Sequence, residues 1–336
     1  MSLELKNISK TFASKKVLNN ISLSVSEGEI LMLLGPSAAG KTTLLHIIAG
    51  LQNVDCGSVI FQSKDMAHVP VHQRNIGLLF QESTLLPHLT VEENLRFVCR
   101  AKKYSPQKQN AEIVKVIKDL RLENLRYRYP QNLSGGEVQR AALGRVLIRK
   151  PSLMLLDEPF AHLDVKTQYA LRSKVKQICR DLKIPVVYVT HNQQEALAMG
   201  DKLAILLSGQ LQQLDTPHNV YNFPKTLEVA SFLGDPPMNI INAQVENSLL
   251  KIDNQQTAIP TNLTNGQITL AIRAQHITLE HQGVLGIVDD IEFHGLGFLF
   301  YVRTQAQRLM VFCHEKIAEK GDEVFMNFAV DKVIIF

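Results

Sequence analysis

The sequence has no tryptophan, and aromatic residues make up only 6% of its 336 positions. Its four cysteines, Cys56, Cys99, Cys179 and Cys313, are scattered, without a Cys-x-x-Cys pair or metal-ligand spacing. That excludes a disulfide framework or a zinc finger and predicts small core residues in a reducing compartment. The net charge of +4 is slight for the length. A nucleic-acid binder concentrates far more basic charge, so no nucleic-acid partner is expected. No apolar run approaches the roughly 20 residues that span a bilayer, and Met1–Lys6 carries no signal-type apolar region. The remaining composition is that of a globular chain long enough for two domains.

Two alternating stretches, Leu3–Ile8 and Ile21–Val25, predict half-exposed strands of an antiparallel sheet. Three continuous apolar runs, 30–34, 153–156 and 186–189, predict strands buried on both faces. Helical patterns separate them, so the fold class is α/β with a parallel sheet, joined to an antiparallel β subdomain and a helical insertion over about 82–150. Sheets of this kind bind ligands beyond the carboxyl ends of their strands, where polar residues follow each run. After Phe232-Leu233-Gly234-Asp235-Pro236-Pro237 the helical periodicity stops. The expected division is 1–235 and 236–336, the second a small all-β barrel or sandwich with a hairpin turn at Asn265-Gly266.

Gly35-Pro36-Ser37-Ala38-Ala39-Gly40-Lys41-Thr42, followed by Thr43, fits G-x-x-x-x-G-K-[ST] directly between a buried strand and a helix. Backbone N–H groups there can curl around phosphate oxygens, aided by the helix N-terminus. Lys41 is placed to reach the β- and γ-phosphates of ATP, and Thr42 to offer a hydroxyl to Mg²⁺. Asp157, at the end of the second buried run, is a further candidate Mg²⁺ ligand. Glu158 beside it is the candidate base for the attacking water.

Leu133-Ser134-Gly135-Gly136-Glu137-Val138-Gln139-Arg140 resembles the signature of ATP-binding cassette (ABC) proteins. Six motifs agree with that family in order and spacing, over about residues 1–235. The resemblance implies that Phe12 stacks on adenine and that Gln81 contacts Mg²⁺ and the attacking water. It also implies that Asp164, in Ala161-His162-Leu163-Asp164, communicates across a dimer, and that His191 is a switch histidine near the γ-phosphate. Ser134, Gly135 and Gly136 would cover the ATP held by a second subunit, this chain or a homologue, so two ATP are bound head-to-tail. Three residues depart from the family pattern: Ala38 stands for a usual Gly, Glu137 for the commoner Gln, and Ala161 for a usual Ser. The last two are expected to be benign. Ala38 needs a backbone that tolerates a Cβ, or else carries strain.

A cassette followed by a small β domain resembles the ATPases of solute importers of the maltose, polyamine, molybdate and ferric-iron types. The C-terminal stretches 271–273 and 321–324 resemble their OB-like domain. The resemblance implies two integral-membrane permease subunits and an extracytoplasmic solute-binding protein as partners. It places the chain at the cytoplasmic face of the inner membrane as a peripheral subunit, with 83–91 as the docking segment. An exporter-type cassette ATPase is the alternative within the family. DNA-repair relatives insert long coiled coils between the two motifs, where this chain has about a hundred residues. The solute is not legible, since selectivity lies in other subunits.

Overall fold

A computed structural model describes residues 2–80, 85–161, 163–247, 249–261 and 263–336. The chain divides into two compact units, 1–218 and 219–336. In the first unit, β1 (Leu3–Phe12) and β2 (Lys15–Val25) form an antiparallel pair, as their alternation predicts. Inward residues such as Leu3, Leu5 and Ile8 are fully buried. β3 (Ile30–Leu34) is buried at every position and leads through the phosphate-loop motif into α1 (Lys41–Ala49). β4 (Cys56–Phe61) and β5 (Lys64–Asp65) complete the antiparallel sheet in the order β2-β1-β4-β5.

β6 (Ile76–Leu79) then precedes three helices: α2 (Val91–Ala101), α3 (Pro106–Asp119) and α4 (Gly135–Ile148). Each begins behind a side-chain cap, Thr90, Ser105 and Ser134 respectively, that meets a backbone N–H otherwise left without a partner. β7 (Leu153–Asp157), α5 (Val165–Asp181), β8 (Val186–Thr190), α6 (Gln193–Met199), β9 (Lys202–Leu207) and β10 (Gln210–Asp215) follow. The main sheet has the order β10-β9-β3-β8-β7-β6, parallel except for β10. One apolar core joins both sheets to α1, with Leu31, Leu33, Leu44 and Leu155 at its centre. The carboxyl ends of β3, β7 and β8 therefore stand side by side.

The second unit is built from two five-stranded antiparallel sheets that share one core, including Ile241, Leu270, Phe300 and Met326. Three details differ from the sequence reading. The division falls between His218 and Asn219, not at Asp235. The buried Arg273 guanidinium donates to the carbonyls of Leu233 and Tyr221, and Ala230 packs with Met238 and Ala271, so 219–235 folds with the β unit. Asn265-Gly266 is not a tight hairpin: the strand Gly266–Ile272 pairs with Asn239–Glu246, while Gln255–Pro260 pairs with Leu249–Ile252. The two-residue turn is Asp253-Asn254, at φ 50° and 65°, as a type I′ hairpin requires. Cys99 and Cys179 are buried, but Cys56 is exposed on an outer strand and Cys313 is half-buried. No described helix is long and apolar enough to cross a membrane.

Candidate active site

Helix α1 starts without any side-chain cap and with no acidic residue in its first turn. Its first N–H groups and its partial positive charge therefore face the Gly35–Gly40 loop uncompensated, which suits a phosphate. Gly40 sits at φ 101°, and a Cβ there would stand 2.7 Å from Leu18 Cδ2 and 2.8 Å from the Val17 carbonyl. At Gly35 a Cβ would come within 2.1 Å of the Leu206 carbonyl oxygen. Both glycines are demanded by close backbone approach. Ala38 adopts φ 62°, the left-handed region that costs a Cβ-bearing residue about 1 kcal/mol.

Lys41 is buried, and its ammonium donates to the Gly35 carbonyl at 2.8 Å and the Pro36 carbonyl at 2.7 Å. An ammonium has three protons, so one donor remains directed by this clamp. Burial lowers the Lys41 pKa, opposed by the nearby Glu158 and Asp157 carboxylates. Thr42 Oγ1 donates to Asp157 Oδ2 at 2.9 Å, joining α1 to the end of β7. Asp157 is only 5% exposed, and desolvation raises its pKa; the Thr42 bond opposes the shift and the Glu158 charge adds to it. A buried carboxylate next to a hydroxyl oxygen is an oxygen pair that fits a hard divalent cation.

Glu158 follows with φ 47°, a left-handed backbone that strains a residue with a Cβ. Its N–H donates to the Val189 carbonyl at 3.0 Å, pinning it to β8. His191 lies one residue beyond that strand, and its Nδ1 is 2.6 Å from Glu158 Oε1. The structure thus brings Lys41, Thr42, Asp157, Glu158 and His191 to one edge. Phe12 is 44% exposed, so it is not a core residue. Lys10 Nζ lies 5.4 Å from its ring centroid, and Asp55 holds both Lys10 and the Thr11 N–H. Phe12 pairs with Lys15, two residues before the Val17 carbonyl that borders Gly40.

Ser134, Gly135 and Gly136 open α4, and no described hydrogen bond joins them to the phosphate loop. Ser134 Oγ accepts from the Glu137 N–H at 3.4 Å, and the Glu137 carboxylate accepts from the Ser134 N–H at 2.8 Å. Asp164 is exposed and caps α5 by accepting from the Thr167 N–H. Gln81, His162 and the first two residues of the docking segment, Ser83 and Thr84, lie outside the described residues. The sequence reading missed Gln139, whose Nε2 donates to the Glu158 carbonyl at 2.6 Å and ties the signature helix to the catalytic edge. Its place four residues after Gly135, on the helix face that turns inward, was the available signal.

Residues 18–161 match the ABC transporter family model, and 270–336 match that of the TOBE domain. An Fe(3+) ions import ATP-binding protein of Fusobacterium nucleatum is 32% identical, covering 100% of this chain and 93% of its own. A spermidine/putrescine import ATP-binding protein of Spiroplasma citri is 35% identical over 98% and 96%. A sulfate/thiosulfate import ATP-binding protein of Pectobacterium atrosepticum is 43% identical over 74% and 77%. Among solved structures, a dimeric ATP-binding cassette in a post-hydrolysis state with ADP and phosphate is 29% identical, with a TM-score of 0.59. It covers 64% of this chain and 98% of its own. Motif order, the clustered loop, carboxylates and histidine, and this likeness over the full length agree: the chain belongs to the ABC transporter family, as the ATP-hydrolysing subunit of an importer with a C-terminal OB-like domain.

Proposed function

We propose that two copies of this chain face each other head-to-tail, each Gly35–Thr42 loop holding an ATP that the other copy's Ser134–Gly136 element covers. The observation that carries its hydrolytic part is the Glu158–His191 contact of 2.6 Å beside the Thr42–Asp157 pair. Water attacks the γ-phosphorus, Glu158 takes its proton, and the bond to the bridging oxygen breaks to leave ADP. An ionised carboxylate only accepts, so at this distance His191 Nδ1 carries the proton and donates to Glu158. That bond aims the carboxylate, while Lys41 offsets phosphate charge. Thr42 and Asp157 would hold Mg²⁺, with Gln81 as a further ligand. An ion bound there would supply Lewis-acid polarisation of the phosphate oxygens.

The work is delivered to two separate integral-membrane permease subunits, fed by an extracytoplasmic solute-binding protein, with the chain peripheral at the cytoplasmic face of the inner membrane. Asn94 supports a docking role for residues 85–91, the described part of the 83–91 segment. It is fully buried, accepts from the Leu86 N–H and donates to the carbonyls of Leu86, Leu89 and Thr90, which makes this loop a rigid ledge on α2. A cavity of about 590 Å³, lined by His88, Leu89, Arg96, Phe97, Arg100 and Tyr127, lies alongside. The second unit serves dimer contact or regulation.

Glu158→Gln tests the site. It should slow hydrolysis by about 10²–10⁴-fold, the usual worth of a positioned base. It should also accumulate an ATP-bound dimer on size exclusion in ATP and Mg²⁺. A variant that turns over normally, or stays monomeric with ATP, overturns this reading.

A further inference from the structure

Behind the catalytic edge lies an ion pair that none of the steps above uses. Arg172 of α5 and Glu195 of α6 are 7% and 4% exposed, and Arg172 Nε donates to Glu195 Oε1 at 3.1 Å. A buried pair of this kind contributes little net stability, because desolvation offsets most of the attraction. What it orients is specific. The second oxygen, Glu195 Oε2, accepts from Thr190 Oγ1 at 2.6 Å, and that hydroxyl accepts from the Asn192 N–H at 3.0 Å. Asn192 Oδ1 in turn accepts from the Glu195 N–H at 3.0 Å. Thr190 and Asn192 flank His191, whose side chain is 60% exposed and so is not held by packing.

On the other side, Arg172 Nη2 donates to Gln168 Oε1 at 3.1 Å, and Gln168 Nε2 donates to the Phe160 carbonyl at 2.8 Å. Phe160 is two residues past Glu158, and its ring meets that of Tyr188, on β8, at 6.0 Å between centroids. One hydrogen-bonded path therefore leaves the Glu158 loop at Phe160, crosses Gln168, Arg172 and Glu195, and returns through Thr190 and Asn192 to the histidine on Glu158. The same Phe160 segment runs on to Asp164 at the cap of α5.

We propose that Arg172 and Glu195 are positioning residues for hydrolysis: the pair holds His191 on Glu158 and ties that contact to the loop between Glu158 and Asp164. This rests on the assignment of Glu158 and His191 made above. A purely structural pair would lower activity regardless of whether His191 is present; a positioning pair acts only through it.

The experiment is a double-mutant cycle on the full chain, with single-turnover ATP hydrolysis at excess enzyme and nucleotide binding measured in parallel. Glu195→Gln should lower the hydrolysis rate by about 10- to 100-fold, in line with the cost of a small misplacement of catalytic groups. ATP affinity should stay within about twofold, and the same change in a His191→Ala background should alter the rate by less than about twofold, since coupled residues are non-additive. Equal losses in both backgrounds, or no loss in either, overturn the proposal. Thr190→Val removes one hydroxyl from the path and carries the test where Glu195→Gln does not fold. It should show the same non-additivity, and a wild-type rate overturns the proposal. A full rate in His191→Ala alone would instead strike down the catalytic assignment beneath it.

Discussion

Helices α1 and α4 use the same device, a glycine-rich entry that presents backbone N–H groups, yet they are finished differently. α1 has no side-chain cap and no acid in its first turn. α4 is closed by a reciprocal box between Ser134 and Glu137. An uncapped end retains its unpaired donors and the full helix field, so an anion bound there adds stability the chain lacks on its own. A capped end is already satisfied, and the Glu137 carboxylate beside it disfavours a lone phosphate. The difference fits the proposed division of work, in which α1 binds nucleotide in a single chain and α4 contributes when a second chain brings an ATP whose phosphates are already held.

Lys41→Ala attacks the first half of that contrast. Removing the ammonium should weaken ATP binding and cut hydrolysis by about 10²–10³-fold, as loss of a preorganised donor at a developing charge does. Nucleotide binding by equilibrium dialysis and phosphate release check it; retained turnover would place the phosphates elsewhere. Ser134→Arg attacks the second half. Hydrolysis should drop by about 10²-fold, because a bulky cation would fill the proposed dimer seam. The isolated monomer's nucleotide affinity should not move. A fall in that affinity would mean that α4 serves its own chain's site.

How much of this contrast is visible in the sequence depends on how local each cause is. Strands buried on both faces appear as unbroken apolar runs, so 30–34, 153–156 and 186–189 and the polar groups beyond them can be read directly. Lys41, Asp157, Glu158 and His191 inherit their places from that register. The Ser134–Glu137 box is equally local, since its spacing is that of a cap. Less accessible are features made by distant contacts. Arg273 reaching the Leu233 and Tyr221 carbonyls moves the domain division forward, and nothing near Asp235 announces it. The pairing partner of 266–272 depends on which strands share the core, so Asn265-Gly266 misleads while Asp253-Asn254 forms the tight turn. Cys56 is exposed because β4 lies away from the core at its start.

The cation side of the α1 site can be sharpened by pH. Desolvation holds the Asp157 carboxyl above the ordinary aspartate range. The folded chain therefore binds that proton more tightly than the unfolded one. Its stability contribution is complete at low pH and is lost as pH rises through the folded pKa. Cation binding needs the ionised form, so the Mg²⁺ required for half-maximal hydrolysis should climb as pH falls, beginning above the range of an exposed aspartate. Below the folded pKa the climb should approach about tenfold per pH unit. A Mg²⁺ requirement flat down to the ordinary aspartate range would show that Asp157 does not ligate the ion.

The smallest effect concerns the one loop residue that separates this α1 entry from a glycine-rich ideal. Ala38 is exposed and sits at φ 62°, so its Cβ adds strain and buries nothing. Ala38→Gly should release about 1 kcal/mol of that strain, partly offset by the greater entropy of an unfolded glycine. The net gain should be about 0.5 kcal/mol, or roughly 1–2 °C in Tm for a unit of this size. The backbone N–H groups already occupy the conformation a glycine would take, so ATP affinity should change by less than about threefold. A fall in Tm would mean that the methyl limits the unfolded chain more than it strains the folded loop. A large gain in affinity would mean that the alanine holds the loop out of its phosphate-binding shape.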